Sequence, residues 1–168
     1  MNIKNKFRPK KSLGQNFIKN DNFLNKLSNL INVEENTELI EIGPGKGALT
    51  NKLVKKKLNK ILLIEKDKDL YNILKTKYKL IKHLNIINQD AMDTDYENIS
   101  QNNNIILVGN LPFNISSQLL IKWISYKKWP PFYKKMYLMF QKEVGERILA
   151  NHGSKHYGRL SVITQSRC

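Results

Sequence analysis

"ELIEIGPGKGALT" (residues 38–50) decides the fold class. A short apolar run stops in three glycines, Gly43, Gly45 and Gly47, and helical spacing resumes at Leu49, Leu53 and Val54. Glycine supplies the left-handed backbone that a tight strand-to-helix turn needs, so the stretch reads as strand, glycine turn, helix. The pattern recurs downstream. "KILLIEKD" (60–67) is a second strand, with a helix to follow through Leu70, Ile73 and Leu74; "LNIINQD" (84–90) is a third strand and "NIILVGN" (104–110) a fourth. All four are nearly continuous apolar runs, which suits strands buried on both faces of a parallel sheet covered by helices. The class expected is α/β with a mostly parallel sheet.

The flanks fill out this plan. "DNFLNKLSNLI" (21–31) places Phe23, Leu24, Leu27, Leu30 and Ile31 on one helical face, with Asp21 as N-cap. "ALTNKLVKKKL" (48–58) is read as the helix after the glycine turn. Past the fourth strand, Ile115, Leu119, Leu120, Trp123 and Ile124 have helical spacing. "KMYLMFQ" (135–141) is a strand, Val144 and Ile148 mark a short helix, and "RLSVITQ" (159–165) is expected as a sixth strand. "QNNN" (101–104) and "KKWPPFYKK" (127–135) are loops.

Composition bounds the function. The 168 residues, 40% of them hydrophobic, suit a single domain with a real core. No apolar stretch approaches the roughly 20 residues of a membrane span, and "MNIKNKFRPKKS" lacks the apolar segment of a secretory signal; a cytoplasmic location is expected. Cys168 stands alone, which excludes a disulfide framework or a cysteine-rich zinc site. His83, His152 and His156 have no metal-ligand spacing and are expected at the surface. The formal charge of +15 invites a nucleic-acid partner. Yet 25 of the 29 basic residues are lysine, amid many Asn and Ile, so AT-rich coding bias on solvated faces is an open alternative. A narrower clue is "KFRPKKS" (6–12), a basic cluster without an acid.

In an open α/β sheet, ligands bind beyond the carboxyl ends of the strands. The unusual residues all fall there: Gly43 to Gly47 after strand one, Glu65 after strand two, Asp90 after strand three and Asn110 to Phe113 after strand four. The glycine segment has two readings. As G-x-G-x-x-A it nearly matches a dinucleotide fingerprint; as E-x-G-x-G-x-G it matches the glycine loop of S-adenosylmethionine methyltransferases. An acid after strand two serves ribose hydroxyls in both, so Glu65 does not separate them. Asp90 and the Asn-Leu-Pro-Phe turn do.

A carboxylate after strand three can accept a hydrogen bond from an adenine exocyclic amine, and "DAM" (90–92) adds a backbone N–H and an apolar side chain at Ala91 and Met92. The competing reading of Asp90 is a turn or helix-capping residue. Methyl transfer from a sulfonium is an in-line displacement that needs an aimed lone pair, and adenine N6 is a poor nucleophile because its lone pair is delocalised into the ring. The side-chain oxygen of Asn110 and the backbone carbonyl of Leu111 could accept its two N–H bonds and favour the pyramidal nitrogen. Pro112 would fix those acceptors, and Phe113 would stack on a base turned out of its helix. A plain turn with a core aromatic is the competing reading of Pro112 and Phe113.

"KKSLGQNFI", "IEIGPGKGALT", "IEKD", "QDAM", "GNLPFNIS", "LMFQKEVGERI" and "YGRLSV", in this order, resemble the ribosomal RNA adenine N6,N6-dimethyltransferases that modify two adjacent adenines near the 3′ end of small-subunit rRNA. The resemblance implies a Rossmann-like, S-adenosylmethionine-dependent methyltransferase domain over residues 1–168, with 1–20 as a basic, cofactor-covering segment. It implies that Asn16 and Ile18 close over the cofactor, that Gly43 and Gly45 border it, and that Glu65 takes the ribose. Asp90 and Ala91 would take the adenine, and Asn110 would sit between cofactor and target base. Phe113 stands where the family often has tyrosine, which keeps the stacking face and loses the hydroxyl. Phe140 and Arg147 would lie on the RNA side, with a core position the alternative for Phe140. The implied partner is small-subunit rRNA within the small ribosomal subunit or its precursor; no membrane and no metal are implied, and the full-length protein is expected to be monomeric.

The family continues past "YGRLSV" into a small helical domain, so this chain is expected to be a shortened form with weakened RNA affinity. Two other functions remain open on sequence: a noncatalytic RNA-binding assembly factor and a nicotinamide-dependent oxidoreductase. The macrolide-resistance methyltransferases of large-subunit rRNA share the expected architecture; "LGQNF", "NLPF" and "YGRLSV" favour the small-subunit branch.

Overall fold

The computed structural model describes residues 17–99, 104–128 and 130–168. Five strands, β1 (Glu38–Ile42), β2 (Lys60–Ile64), β3 (Leu84–Ile87), β4 (Ile105–Asn110) and β5 (Lys135–Met139), form one sheet in the order β3-β2-β1-β4-β5. Every pairing is parallel. The chain winds outward from β1 through β2 to β3, then returns to the other side of β1 for β4, so β1 and β4 flank the point where the order reverses. Ile42 pairs with Gly109 there, bringing the exits of both strands side by side.

The two sheet faces are covered as continuous apolar strands require. On one face Leu39, Ile61, Leu63, Ile106 and Val108 pack with Leu24, Leu53 and Leu74, from α1 (Asp21–Leu30), α2 (Thr50–Leu53) and α3 (Lys68–Lys77). On the other, Ile40, Ile42, Leu62, Ile64, Ile105 and Leu107 meet Leu119 and Trp123 of α4 (Ser116–Ile124). Burial of an aliphatic side chain of this kind contributes about 1.5–3 kcal/mol, which is why the central strands tolerate so few polar residues. A smaller cluster joins Leu120 and Ile124 to Val144 and Leu160, the last two from α5 (Lys142–Ile148) and α6 (Arg159–Gln165).

Five expectations are corrected. The run 159–165 is the helix α6, not a sixth strand. Its buried positions, Leu160, Ser161 and Thr164, follow helical spacing, while Val162 is 51% exposed. The Gly158 N–H donates to Ser161 Oγ, Ser161 donates to the Arg147 carbonyl, and Gln165 Nε2 donates to the carbonyls of Ile148 and Ala150, tying α6 to the end of α5.

The first helix is capped by Asn20, whose Oδ1 accepts the Phe23 N–H at 3.0 Å. Asp21 instead pairs with Lys52 at 2.7 Å. The core side of α1 is Leu24 with Leu27 and Ile31, and Phe23 and Leu30 are exposed. The helix after the glycine turn spans only four residues, and three-residue backbone bonds (Lys55 to Lys52, Lys56 to Leu53) tighten its end. Finally, His152 and His156 are exposed as expected, but His83, just before β3, is half-buried with its Nε2 shielded from solvent.

Candidate active site

The glycine turn leaves β1 at the reversal point. Gly43, Gly45 and Gly47 have φ of 62°, 60° and 74°, the left-handed region in which a side chain is strained. Space matters as well as conformation at two of them. A Cβ on Gly45 would stand 2.7 Å from the Phe17 ring, and one on Gly47 would stand 2.3 Å from the Tyr78 hydroxyl. The turn is pinned to the neighbouring strand by the Gly43 N–H, which donates to the Ile64 carbonyl at 3.0 Å.

Glu65, one residue past β2, reaches back to the same turn. Its Oε2 accepts the Gly45 N–H at 3.1 Å and its Oε1 accepts the Asp67 N–H at 2.9 Å. Burial pushes its carboxyl above the ordinary range, and those backbone N–H groups partly offset the rise. Asp90, beyond β3, lies beside this group along the rim: Gln89 N–H and the Asn88 side chain both donate to the Glu65 carbonyl. Lys66 Nζ contacts Asp90 Oδ2 at 2.6 Å, and the Met92 N–H donates to Asp90 Oδ1 at 2.9 Å. Partial burial raises the Asp90 carboxyl, but the Lys66 ammonium and the Met92 N–H outweigh it and hold it below the ordinary range. Asp90 thus shapes its own turn while part of its carboxylate stays accessible, and Ala91 behind it is buried.

Asn110 ends β4 and opens the Asn-Leu-Pro-Phe turn. Leu111 is buried in the α4-side core, and the Pro112 carbonyl accepts the Ile115 N–H at 3.1 Å, so the turn is anchored at both ends. Phe113 is half-buried, and its carbonyl accepts a bond from Ser116 Oγ. Pro112 and the Asn110 carbonyl are the nearest neighbours of Gly43, where a Cβ would sit 3.9 Å and 4.0 Å from them.

A cavity of about 290 Å³ opens between these turns, lined among others by Phe17, Ile18, Glu41, Gly43, Pro44 and Asn110. Three of the sequence-selected residues, Ile18, Gly43 and Asn110, therefore share one cavity wall. Gly45 and Glu65 stand behind its glycine edge, joined by their hydrogen bond, and Asp90 and Ala91 continue the rim outward. Phe140 packs at the margin of both α4-side clusters, and Arg147 is exposed on α5. Asn16 and the basic cluster 6–12 lie outside the described residues.

Among the lining residues that the sequence reading did not single out, Glu41 carries the chemistry. Glu41 is only 2% exposed, its Oε2 accepts the Thr50 hydroxyl hydrogen at 2.7 Å, and burial raises its carboxyl to about 7. It is the acid in the motif E-x-G-x-G-x-G, and strand alternation puts it on the face of Leu39, toward α2; that was the available signal. Among the described residues no three His, Cys, Asp or Glu side chains group as metal ligands, and no helix is long and apolar enough to cross a membrane.

Comparison with known proteins places this arrangement. The chain is 39% identical over 158 residues to the ribosomal RNA small subunit methyltransferase A of Rhizobium johnstonii, covering 92% of this chain and 56% of that protein. A solved dimethyladenosine transferase from Plasmodium falciparum superposes with a TM-score of 0.75 at 32% identity, covering 89% of this chain and 52% of that one. A 23S rRNA methyltransferase, ErmE, shares the fold with a TM-score of 0.73 at 20% identity, covering 89% and 57%. The chain thus spans about half the length of the relatives it matches. The family model for ribosomal RNA adenine dimethylase matches residues 6–168, and the chain belongs to that family.

Proposed function

We propose that the chain binds S-adenosylmethionine and carries the catalytic groups that dimethylate N6 of two adjacent adenines near the 3′ end of small-subunit rRNA, in the cytoplasm. The observation that supports this most is the shared wall at the β1/β4 reversal point, where Gly43, Asn110 and Ile18 line one cavity. Relatives named for small-subunit rRNA methylation and dimethyladenosine transfer support the substrate.

The residues fit the cofactor. The glycine turn offers backbone with no side chain in the way, and Glu41 supplies a buried carboxylate at the cavity for the ammonium of an amino-acid end. Glu65 keeps a second lone pair on each oxygen for ribose hydroxyls while it holds the turn. Asp90 and Ala91 serve the adenine, and Ile18, with Asn16, covers the site. Bound there, S-adenosylmethionine supplies an electrophilic methyl group on a sulfonium sulfur.

The remaining work falls to the Asn-Leu-Pro-Phe turn. Asn110 and the Leu111 carbonyl accept the two N–H bonds of the target amine, which turns its lone pair away from the ring. The buried Leu111 side chain and the rigid Pro112 keep both acceptors in place, so little reorganisation is left for the reaction. Phe113 stacks on the extruded base, and Phe140 and Arg147 serve the RNA side.

The test is to incubate the protein with S-adenosylmethionine and small ribosomal subunits lacking the modification, digest the RNA and measure N6,N6-dimethyladenosine. Product from the parent and a loss of at least 100-fold in Asn110→Ala are expected. Cofactor binding without product from the parent would refute catalysis by this chain, and competition by NAD but not S-adenosylmethionine would refute the cofactor.

A further inference from the structure

The glycine turn is held from behind by the end of α3. Tyr78, directly after that helix, points its hydroxyl at the Gly47 carbonyl, 2.9 Å away, and stands 2.8 Å from Asn51 Oδ1. Its neighbour Lys77 donates from Nζ to the Lys46 carbonyl at 2.9 Å. The last residue of α3 and the one after it thus hold two consecutive carbonyls of the turn, across a separation of 31 residues in each case. The Lys77 ammonium also lies 5.1 Å from the Tyr78 ring centroid, so the two holders brace each other.

Sterics point the same way. The Tyr78 hydroxyl occupies the place where a Cβ of residue 47 would go, 2.3 Å from it. Tyr78 is 5% exposed and packs in the core on the α1–α3 side of the sheet. Because a peptide unit is planar, fixing the Lys46 and Gly47 carbonyls fixes the planes that lead into Ala48 and Leu49. Lys46, Ala48 and Leu49 line the cavity.

We propose that Tyr78 and Lys77 are positioning residues for cofactor binding: through the Lys46 and Gly47 carbonyls they preset the glycine turn in its left-handed, cavity-lining shape before S-adenosylmethionine arrives. The proposal rests on the methyltransferase reading above. Neither residue touches the cavity, so they govern affinity for the cofactor and leave the methyl-transfer step to the Asn110 turn.

Tyr78→Phe keeps the ring and removes the hydrogen bond; Lys77→Met keeps the stem and removes the ammonium. Equilibrium binding of S-adenosylmethionine and amide exchange of residues 45–48 in the cofactor-free protein read the effect. Each variant is expected to weaken binding about 3- to 10-fold, the weight of one hydrogen bond, and to speed exchange in the turn, with kcat at saturating cofactor within about twofold of the parent. A double-mutant cycle adds a second reading: Gly47→Ala should lose less affinity in the Tyr78→Phe background than in the parent, because the clashing oxygen is gone.

Parent-like affinity and exchange in Tyr78→Phe and Lys77→Met would overturn the proposal and leave the cofactor assignment standing. Failure of the parent itself to bind S-adenosylmethionine would overturn both. Should Tyr78→Phe fail to fold, as judged by circular dichroism, Lys77→Met on the exposed side of the same latch decides the question by the same two measurements.

Discussion

Glu41 offers a test that separates folding from function. Its carboxyl is raised from 4.5 to about 7, first by burial and further by Glu65, against a lowering hydrogen bond from Thr50 and the charge of Lys77. A folded-state value above the unfolded one means that the native protein holds a proton the unfolded chain has released. Between about pH 4.5 and 7, stability therefore falls as pH rises; the protonated form is fully favoured below that window and the whole cost of ionisation is present above it. A shift of this size corresponds to about 3 kcal/mol. Glu41→Gln keeps the shape, still accepts the Thr50 hydroxyl hydrogen through its amide oxygen, and cannot ionise.

The expected result is a stability difference between variant and parent that grows by about 3 kcal/mol in favour of Gln from pH 4.5 to pH 8. Urea unfolding at half-unit pH intervals measures it, and taking the difference cancels carboxylates common to both proteins. A pH-independent difference would refute the buried, neutralisable carboxylate. Its functional counterpart runs in the opposite direction. A charge that costs the fold this much is expected to be kept for a ligand, so Glu41→Gln should weaken S-adenosylmethionine binding at pH 8 while it stabilises the free protein. Stabilisation with unchanged binding would remove Glu41 from the cofactor site.

Gly45→Ala forces a side chain into a backbone with φ of 60° and against Phe17 at 2.7 Å. The left-handed conformation alone costs about 1–2 kcal/mol, and the affinity for S-adenosylmethionine is expected to fall at least tenfold by calorimetry. Lys66→Met breaks the ion pair with Asp90, whose lowered carboxyl contributes stability above its unfolded pKa and loses it as pH falls through the folded one; because the pair is partly solvated, the loss is expected to be below about 1 kcal/mol at pH 7 and to shrink with falling pH in acid-range urea titrations. Leu160→Ala is expected to cost about 2–4 kcal/mol and Val162→Ala less than about 0.5 kcal/mol. A strand would place both side chains on one face, so similar costs for the two would refute the helical assignment of 159–165.

That last contrast shows what could be read from the chain and what could not. Strands β1, β2 and β4 were legible because burial on both faces leaves a nearly continuous apolar run, interrupted in its interior only by Glu41, and their ends fall on one rim because the sheet is parallel. In α6 the buried face carries Ser161 and Thr164 beside Leu160. Hydroxyls on the core side hid the helical period, and the β-branched Val162 and Ile163 imitated a strand. Ser161 is tolerated inside only because it donates to the Arg147 carbonyl, a partner 14 residues away that no local pattern announces.

The candidate site divides along the same line. Gly43, Gly45, Glu65, Asp90 and Asn110 could be selected because each sits where its own strand ends, a local property. What joins them is not local. Glu65 meets the turn 20 residues back through the Gly45 N–H, Phe17 comes over Gly45 from before α1, and Tyr78 reaches Gly47 from the far end of α3. Glu41 was hidden differently: within an apolar strand its acid was legible as part of a motif, but its place in the cavity wall, with Ile18 from before α1 and with the Thr50 hydroxyl bonded to it, is not a local property. The strand ends mark where such a site must be, whereas the contacts behind the glycine turn determine how firmly it is preset. Substitutions at Tyr78 and Lys77 are therefore expected to change affinity without changing anything the motif itself records.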